Sequence, residues 1–279
     1  MKTLFDQLSV NTSRMTTNLY STSFSLGIKF LNKEFHNSIY AIYGFVRLAD
    51  EIVDSFDDYN QTQLLSQFKD DYERAILEKI SLNPILNSFQ RVVHRYNIDK
   101  DLVTQFLYSM TMDLSEGFEY NQSKYETYIL GSAEVVGLMC LKVFVNGDDV
   151  HYKQLKPYAK KLGAAFQKIN FLRDLSSDYY NLGRIYFPNI NIDEFDDVVK
   201  QEIQNDIQKD FEMGYVGIKK LPLGVRGGVF LTYTYYVTLL EKIKSSTAEK
   251  ILKDRVRVSN SRKFLLMTKC FIINKLNWL

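Results

Sequence analysis

Helical periodicity governs this chain almost from end to end. Between residues 38 and 54, Ile39, Ile42, Tyr43, Val46, Ala49 and Val53 recur at spacings that bury one face of a helix. Similar stripes run through 64–77, 102–114, 135–145, 158–175 and 229–243. Only 13 glycines and 4 prolines interrupt the 279 residues, so turns are few and elements long. Breaks fall at 81–84 (SLNP), at 146–149 (NGDD) and in the stretch that begins at Pro188. No alternating strand pattern, glycine-rich phosphate loop, fixed-period repeat or low-complexity linker interrupts this reading. The spacing predicts a single all-α domain over residues 1–279, large enough to support its own core.

Charge excludes some classes of partner. With 35 basic against 33 acidic residues the net charge is +2, which gives no general case for nucleic acid. Residues 193–212 hold Asp193, Glu194, Asp196, Asp197, Glu202, Asp206, Asp210 and Glu212 against Lys200 and Lys209, and read as a solvated acidic face. The last 38 residues reverse the sign, with ten Lys or Arg against Glu249 and Asp254. Cys140 and Cys270 are too far apart in sequence for a thiolate zinc motif or a disulfide framework. His36, His94 and His151 are scattered and receive no role. No apolar run approaches the roughly 18 residues that span a bilayer. The opening MKTLFDQLSVNTS carries Lys2 and Asp6 within its apolar stretch, unlike a secretory signal, so a cytoplasmic protein is expected.

Two polar constellations stand out from the apolar stripes. In RLADEIVDS (47–55), Asp50 and Asp54 lie one helical turn apart on a single face, with Arg47 and Tyr43 on nearly the same face below them. Such carboxylates repel one another by a few tenths of a kcal/mol (~0.2–0.5) on an exposed helix, and need either water or a cation. A lone D-x-x-x-D is most simply a solvent face. The second constellation, GAAFQKINFLRDLSSDYYNLGRIYFP (163–188), sets Gln167, Asn170, Asp174 and Asp178 at spacings of three and four. That stripe is roughly 16 Å long, with Arg173 beside it. Amide and carboxylate oxygens without Cys or His suit a hard cation, magnesium before zinc. Two such stripes on facing helices would hold Mg²⁺ between them and a diphosphate below, with Arg and Tyr taking the remaining phosphate oxygens.

Together, RLADEIVD and QKINFLRDLSSDYYNLGRIYFP resemble the squalene/phytoene synthase family of head-to-head prenyl-diphosphate condensing enzymes, its bacterial phytoene synthases in particular. STSFSLGIKFL (21–31), GSAEVVG (131–137) and RVRVSNSRK (255–263) resemble three further segments of that family. The resemblance implies an isoprenoid-synthase helical bundle around a central apolar cavity, roofed by the two aspartate helices. It implies that Asp50, Asp54, Asp174, Asp178 and Asn170 bind Mg²⁺ (or Mn²⁺), with Gln167 completing the shell. Arg47, Arg173, Arg255, Ser21 and Tyr43 would contact diphosphate. An allylic cation needs weakly polar walls, and Phe24, Tyr40, Tyr43, Tyr128, Phe166, Tyr235 and Tyr236 are candidates for them. Leu130 stands where the family commonly carries a tyrosine, whose hydroxyl Tyr128 could replace.

Family members differ in chain length: two C15 diphosphates give squalene or dehydrosqualene, two C20 diphosphates give phytoene. Ile28 lies one turn below Phe24 on an early helix, and an aliphatic there leaves more depth than an aromatic would, which favours C20. No dinucleotide fingerprint is present, so NADPH is not expected. A non-catalytic relative acting as a binding or assembly protein would be expected to lose the aspartates, and all four are present. A terpene cyclase of the same fold would carry an Asn/Ser/Glu triad in place of Asp174 and Asp178. At the C-terminus, Arg262, Lys263, Lys269 and Lys275 alternate with Phe264, Leu265, Phe271, Ile272, Leu276, Trp278 and Leu279. Such a helix either packs on the domain or lies on the inner, anionic face of a membrane.

Overall fold

The apolar stripes become helices where the sequence also supplies caps. In the computed structural model, which describes residues 2–114, 121–188 and 190–276, thirteen α-helices follow one another and no strand occurs among the described residues. They are α1 (Lys2–Tyr20), α2 (Thr22–Lys29), α3 (Lys33–Ser55), α4 (Gln61–Glu78), α5 (Pro84–Tyr96) and α6 (Lys100–Asp113). After these come α7 (Gln122–Ile129), α8 (Val135–Phe144), α9 (Asp149–Leu182), α10 (Asp197–Lys220), α11 (Leu223–Lys244), α12 (Ala248–Lys253) and α13 (Asn260–Lys275). Ser21, Asn60, Asn83, Asp148, Asp196, Thr247 and Ser259 each cap the helix that follows through a side-chain oxygen. Each cap contributes on the order of 1 kcal/mol. The SLNP break places Asn83 as a cap with Pro84 in the first turn, where its missing N–H costs nothing.

Two cores flank the central space. One gathers around α3, where the Phe45 ring stacks on Phe89 at 4.0 Å and touches Phe68, Tyr72 and Phe106. The other gathers around α9, α10 and α11, with Ile169, Leu172, Phe211 and Leu240 fully buried. Between them lies a cavity of about 680 Å³, open at one end.

Three features depart from the sequence reading. Helix α1 carries no buried apolar stripe, because its inward face is Ser9, Ser13 and Thr17, small enough to approach α3 and α5 closely. Its leucines, Leu4, Leu8 and Leu19, point outward. The acidic run at 193–212 is only partly solvated: Asp210 is 2% exposed and clasps Lys168 at 2.7 Å and Lys161 at 2.8 Å, tying α10 to α9. Finally, α7, a π-helical turn (Leu130–Glu134) and α8 form one helical run, Gln122–Phe144, long and apolar enough to cross a membrane. Its most apolar 18-residue stretch is 56% buried, and the run forms a wall of the cavity against α6 and α9. The histidines accept ordinary duties: His36 and His94 meet the carbonyls of Leu31 and Ile76, and His151 meets Asp148. Both cysteines are free thiols.

Candidate active site

Helix α3 brings Tyr43, Arg47, Asp50 and Asp54 up one side of the cavity, and α9 brings Phe166, Gln167, Asn170, Arg173, Asp174 and Asp178 up the other. Ser21, Phe24 and Ile28 of α2, Tyr128 of α7, Tyr236 of α11 and Arg255 beyond α12 complete the wall, so every residue assigned to the site from sequence lines one space. Of the further aromatic residues named only as wall candidates, two do not line it. Tyr40 packs into the α3 core, and the Tyr235 hydroxyl donates to the Lys263 carbonyl, because a helix has only one face to give the cavity.

The carboxylates crowd the mouth. Burial and the neighbouring Asp54 charge push the Asp50 carboxyl up to about 8, against the pull of Arg47. Burial, with Asp174 and Asp54, pushes Asp178 up to about 7. Both motifs line the one cavity, so α3 and α9 bring the two aspartate pairs to a common mouth. Asp174 is held by Arg173, whose Nε lies 2.8 Å away, and by Arg255, whose Nε lies 2.7 Å away. Arg47 pairs with Glu51, and its guanidinium sits 4.4 Å from the Tyr20 ring centre. Burial lifts the Tyr43 phenol to about 12 and raises that of Tyr236, so both remain protonated donors.

Three residues of the mouth were not assigned from sequence. Asp113, the last residue of α6, accepts from the Tyr128 hydroxyl at 2.7 Å and the Tyr186 hydroxyl at 3.2 Å. Burial pushes it up to about 7 even so, with Arg184 and the tyrosines opposing. Arg184 follows Gly183, whose left-handed φ of 64° ends α9 and turns the chain back across the mouth. Its guanidinium meets Asp54 Oδ1 at 3.1 Å and the Asp113 carbonyl at 2.8 Å. The signal for Arg184 and Tyr186 was present in GRIYFP; Asp113 sits in an ordinary apolar helix with nothing beside it in sequence to mark it. Tyr128 therefore spends its hydroxyl on Asp113, one step removed from the space where a diphosphate would lie.

The donor set fits a hard divalent cation. Every candidate ligand is an oxygen, two of the carboxylates are lifted by burial and by neighbouring carboxylates, and Asn170 Oδ1 is buried with no hydrogen-bond partner. Among the described residues no three acidic, His or Cys side chains already converge on one point, so the ligands stand around the mouth and would close on an ion with its phosphate. Below them the aromatic walls meet: Phe24 lies 5.7 Å from Tyr43, 6.2 Å from Tyr236 and 6.4 Å from Phe166, and Phe166 stacks on Tyr236 at 4.3 Å. Ile28, one helical turn on from Phe24, also lines the cavity and is 3% exposed.

An all-helical cavity roofed by two opposed aspartate motifs defines the isoprenoid-synthase class of fold. The sequence matches the squalene/phytoene synthase family over residues 17–262, and the chain belongs to that family. It is similar to a 4,4'-diapophytoene synthase of Staphylococcus haemolyticus, 27% identical over 194 residues that cover 68% of this chain and 66% of that protein. It is also similar to the chloroplastic phytoene synthase 1 of Solanum lycopersicum, 24% identical over 89% of this chain and 64% of that one. The match thus spans somewhat less than two thirds of the length of both relatives. Among solved structures, a dehydrosqualene synthase in complex with ligand superposes with a TM-score of 0.83 at 22% identity, covering 97% of this chain and 98% of that one. A squalene synthase from Alicyclobacillus acidocaldarius gives 0.74 at 18% identity, over 86% of this chain and 94% of that one.

Proposed function

We propose that the chain, working as one unit over residues 1–279, joins two geranylgeranyl diphosphates head to head into phytoene. The carrying observation is the opposition of the Asp50/Asp54 and Asp174/Asp178 pairs across the mouth of an apolar, aromatic-walled cavity. Asp50, Asp54, Asn170, Asp174 and Asp178 would hold Mg²⁺, or Mn²⁺, with Gln167 beside them. Bound there, the ion neutralises the charge that develops on departing pyrophosphate. Arg47, Arg173 and Arg255 take phosphate oxygens, and Ser21 and Tyr43 donate hydrogen bonds to them. Phe24, Tyr43, Phe166 and Tyr236 exclude water from the allylic cation and offer it ring faces, on the order of 0.5–2 kcal/mol each.

The reaction class sets the bookkeeping. One substrate loses its diphosphate at C1, the resulting cation is attacked by the double bond of the other, and a proton leaves to give a cyclopropylcarbinyl diphosphate. Loss of the second diphosphate, rearrangement and a further proton loss yield the conjugated hydrocarbon, so no hydride and no NADPH enter. The intact aspartates and arginines favour this over a non-catalytic binding role.

The aliphatic Ile28 below Phe24 supports C20 substrates. A C30 reading, two farnesyl diphosphates to dehydrosqualene, is favoured by the name of the staphylococcal relative. Incubation with each diphosphate and Mg²⁺, followed by chromatography of the organic extract, separates them: a C40 triene from the C20 substrate supports the proposal, and turnover of farnesyl diphosphate alone replaces it with the C30 reading.

The reading also keeps the chain on the cytoplasmic side, touching the membrane that receives its product. Helix α13 buries only Leu266 and Cys270 and leaves Phe264, Leu265, Phe271, Ile272 and Leu276 exposed beside Arg262, Lys269 and Lys275. Trp278 and Leu279 lie outside the described residues. Co-sedimentation with anionic liposomes, lost on truncation after Lys263, supports this surface; equal binding by both chains removes it.

A further inference from the structure

The hydroxyl of Ser132 is buried, lines the cavity and has no hydrogen-bond partner. Among the described residues it shares that state with the buried helical hydroxyl of Ser13, which does not line the cavity. Ser9, Thr17, Thr127, Thr232 and Thr238 all return theirs to the carbonyl four residues back, at 2.8 to 3.1 Å. Ser132 lies in the π-helical turn, where Val135 N–H reaches five residues back to the Leu130 carbonyl. The turn is wedged on both sides. A Cβ on Gly131 would meet the Gln105 carbonyl of α6 at 2.6 Å, and a Cβ on Gly163 of α9 would meet the Ala133 carbonyl at 2.7 Å. With its neighbours so pinned, Ser132 is fixed towards the cavity, one turn below Tyr128 and one turn above Val136, both of which also line it. π turns interrupting α-helices are frequent at functional sites.

A buried hydroxyl without a partner has given up its hydrogen bond to water, which a bound ligand can return. A prenyl diphosphate is hydrocarbon except at its diphosphate, so only a diphosphate oxygen of the substrate can accept from Ser132. Two substrates bring two diphosphates into one cavity. The carboxylates and arginines of α3 and α9 can take the one that departs first, and Ser132 lines the same cavity from the π turn, an element separate from both aspartate helices. We infer that Ser132 is a binding residue for the second prenyl diphosphate, donating a hydrogen bond to the diphosphate that is kept through the first condensation step. This rests on the two-substrate reading proposed above and adds to it a role for Ser132, which the GSAEVVG resemblance left without one.

Ser132→Thr and Ser132→Val have the same shape and differ in the hydroxyl, so comparing them separates the hydrogen bond from packing. The probe is geranylgeranyl S-thiolodiphosphate, titrated calorimetrically in Mg²⁺, with the farnesyl analogue as a parallel arm. The parent and the Thr variant are expected to bind two equivalents. The Val variant should bind the first equally well and the second on the order of tenfold more weakly. The same loss is expected with whichever chain length binds, since the contact is to diphosphate. Equal binding of the second equivalent by Thr and Val variants, or equal loss at both equivalents, overturns the inference and leaves the enzyme reading standing. Binding of a single equivalent, or of neither analogue, overturns both.

Discussion

Arg184 reaches from the segment after α9 to Asp54 at the top of α3, with Nη1 3.1 Å from Oδ1. The same guanidinium donates to the carbonyls of Val53 and Asp113, so one side chain straps the two aspartate helices and the end of α6 together. The mouth is thus built as a unit in which acids gather only because cations are interleaved with them.

Removing that strap should cost stability in a pH-dependent way. Asp113 is buried and already raised to about 7 by burial, with Arg184 pulling the other way. In Arg184→Ala its folded-state value rises further, so the penalty is small while the carboxyl is protonated and grows as pH passes above that value. Thermal or urea unfolding should show a loss of roughly 2–3 kcal/mol at about pH 8 and less at about pH 6. A loss that does not vary with pH would dissociate Asp113 from the strap.

The metal-free protein should lose stability as pH rises. Asp50, Asp113 and Asp178 have folded-state values of about 8, 7 and 7, above the ordinary carboxylate value of 3.8. The folded state therefore binds more protons than the unfolded state between those limits, and unfolding becomes easier through that window. Melting temperature measured in a chelator should fall from about pH 5.5 to about pH 8.5. Mg²⁺ with pyrophosphate should restore more at the upper end than the lower, because ion binding there displaces no protons.

Asp50→Asn and Asp174→Asn should each lower turnover by a factor of about 10²–10³ or more while the helical circular dichroism is kept. Their effects on stability should differ in sign. The first removes a buried carboxyl that is charged only above about pH 8, and should raise the melting temperature of the metal-free protein there. The second strips Arg173 and Arg255 of their shared partner and should lower it.

Ile28→Phe should shift the product towards shorter chains. The residue is 3% exposed and lines the cavity one helical turn on from Phe24, so an added ring takes up cavity space without touching the aspartate motifs. Competition between C15 and C20 diphosphates, read as C30 against C40 hydrocarbon, checks it; an unchanged ratio would place the end of the chain elsewhere.

The helical stripes and the two aspartate motifs were legible because each rests on local spacing. The Ser38–Asp54 and Gln167–Asp178 periodicities state which side chains share a face, and α3 and α9 bear them out. What escaped depended on contacts across the chain. Helix α1 packs through Ser9, Ser13 and Thr17, residues that hydropathy counts as polar but that are small enough for close approach; the Ser9 and Thr17 hydroxyls return to their own helix, and Ser9 also accepts from Asn87. Asp113 gains its meaning from Tyr128, Tyr186 and Arg184, which are 15, 73 and 71 positions away. Asp210 became a buried anchor only because Lys168 faces it from another helix. Among the aromatic candidates, spacing could not decide which face turned inward, and Tyr40 and Tyr235 went to the packing.

The central claim is that both aspartate motifs grip one diphosphate through shared divalent ions. Electron paramagnetic resonance of Mn²⁺ bound with geranylgeranyl S-thiolodiphosphate tests it directly. The account predicts dipolar coupling between neighbouring Mn²⁺ ions in the parent protein, abolished by Asp50→Asn and by Asp174→Asn alike. Isolated, uncoupled Mn²⁺ that survives either substitution would contradict it.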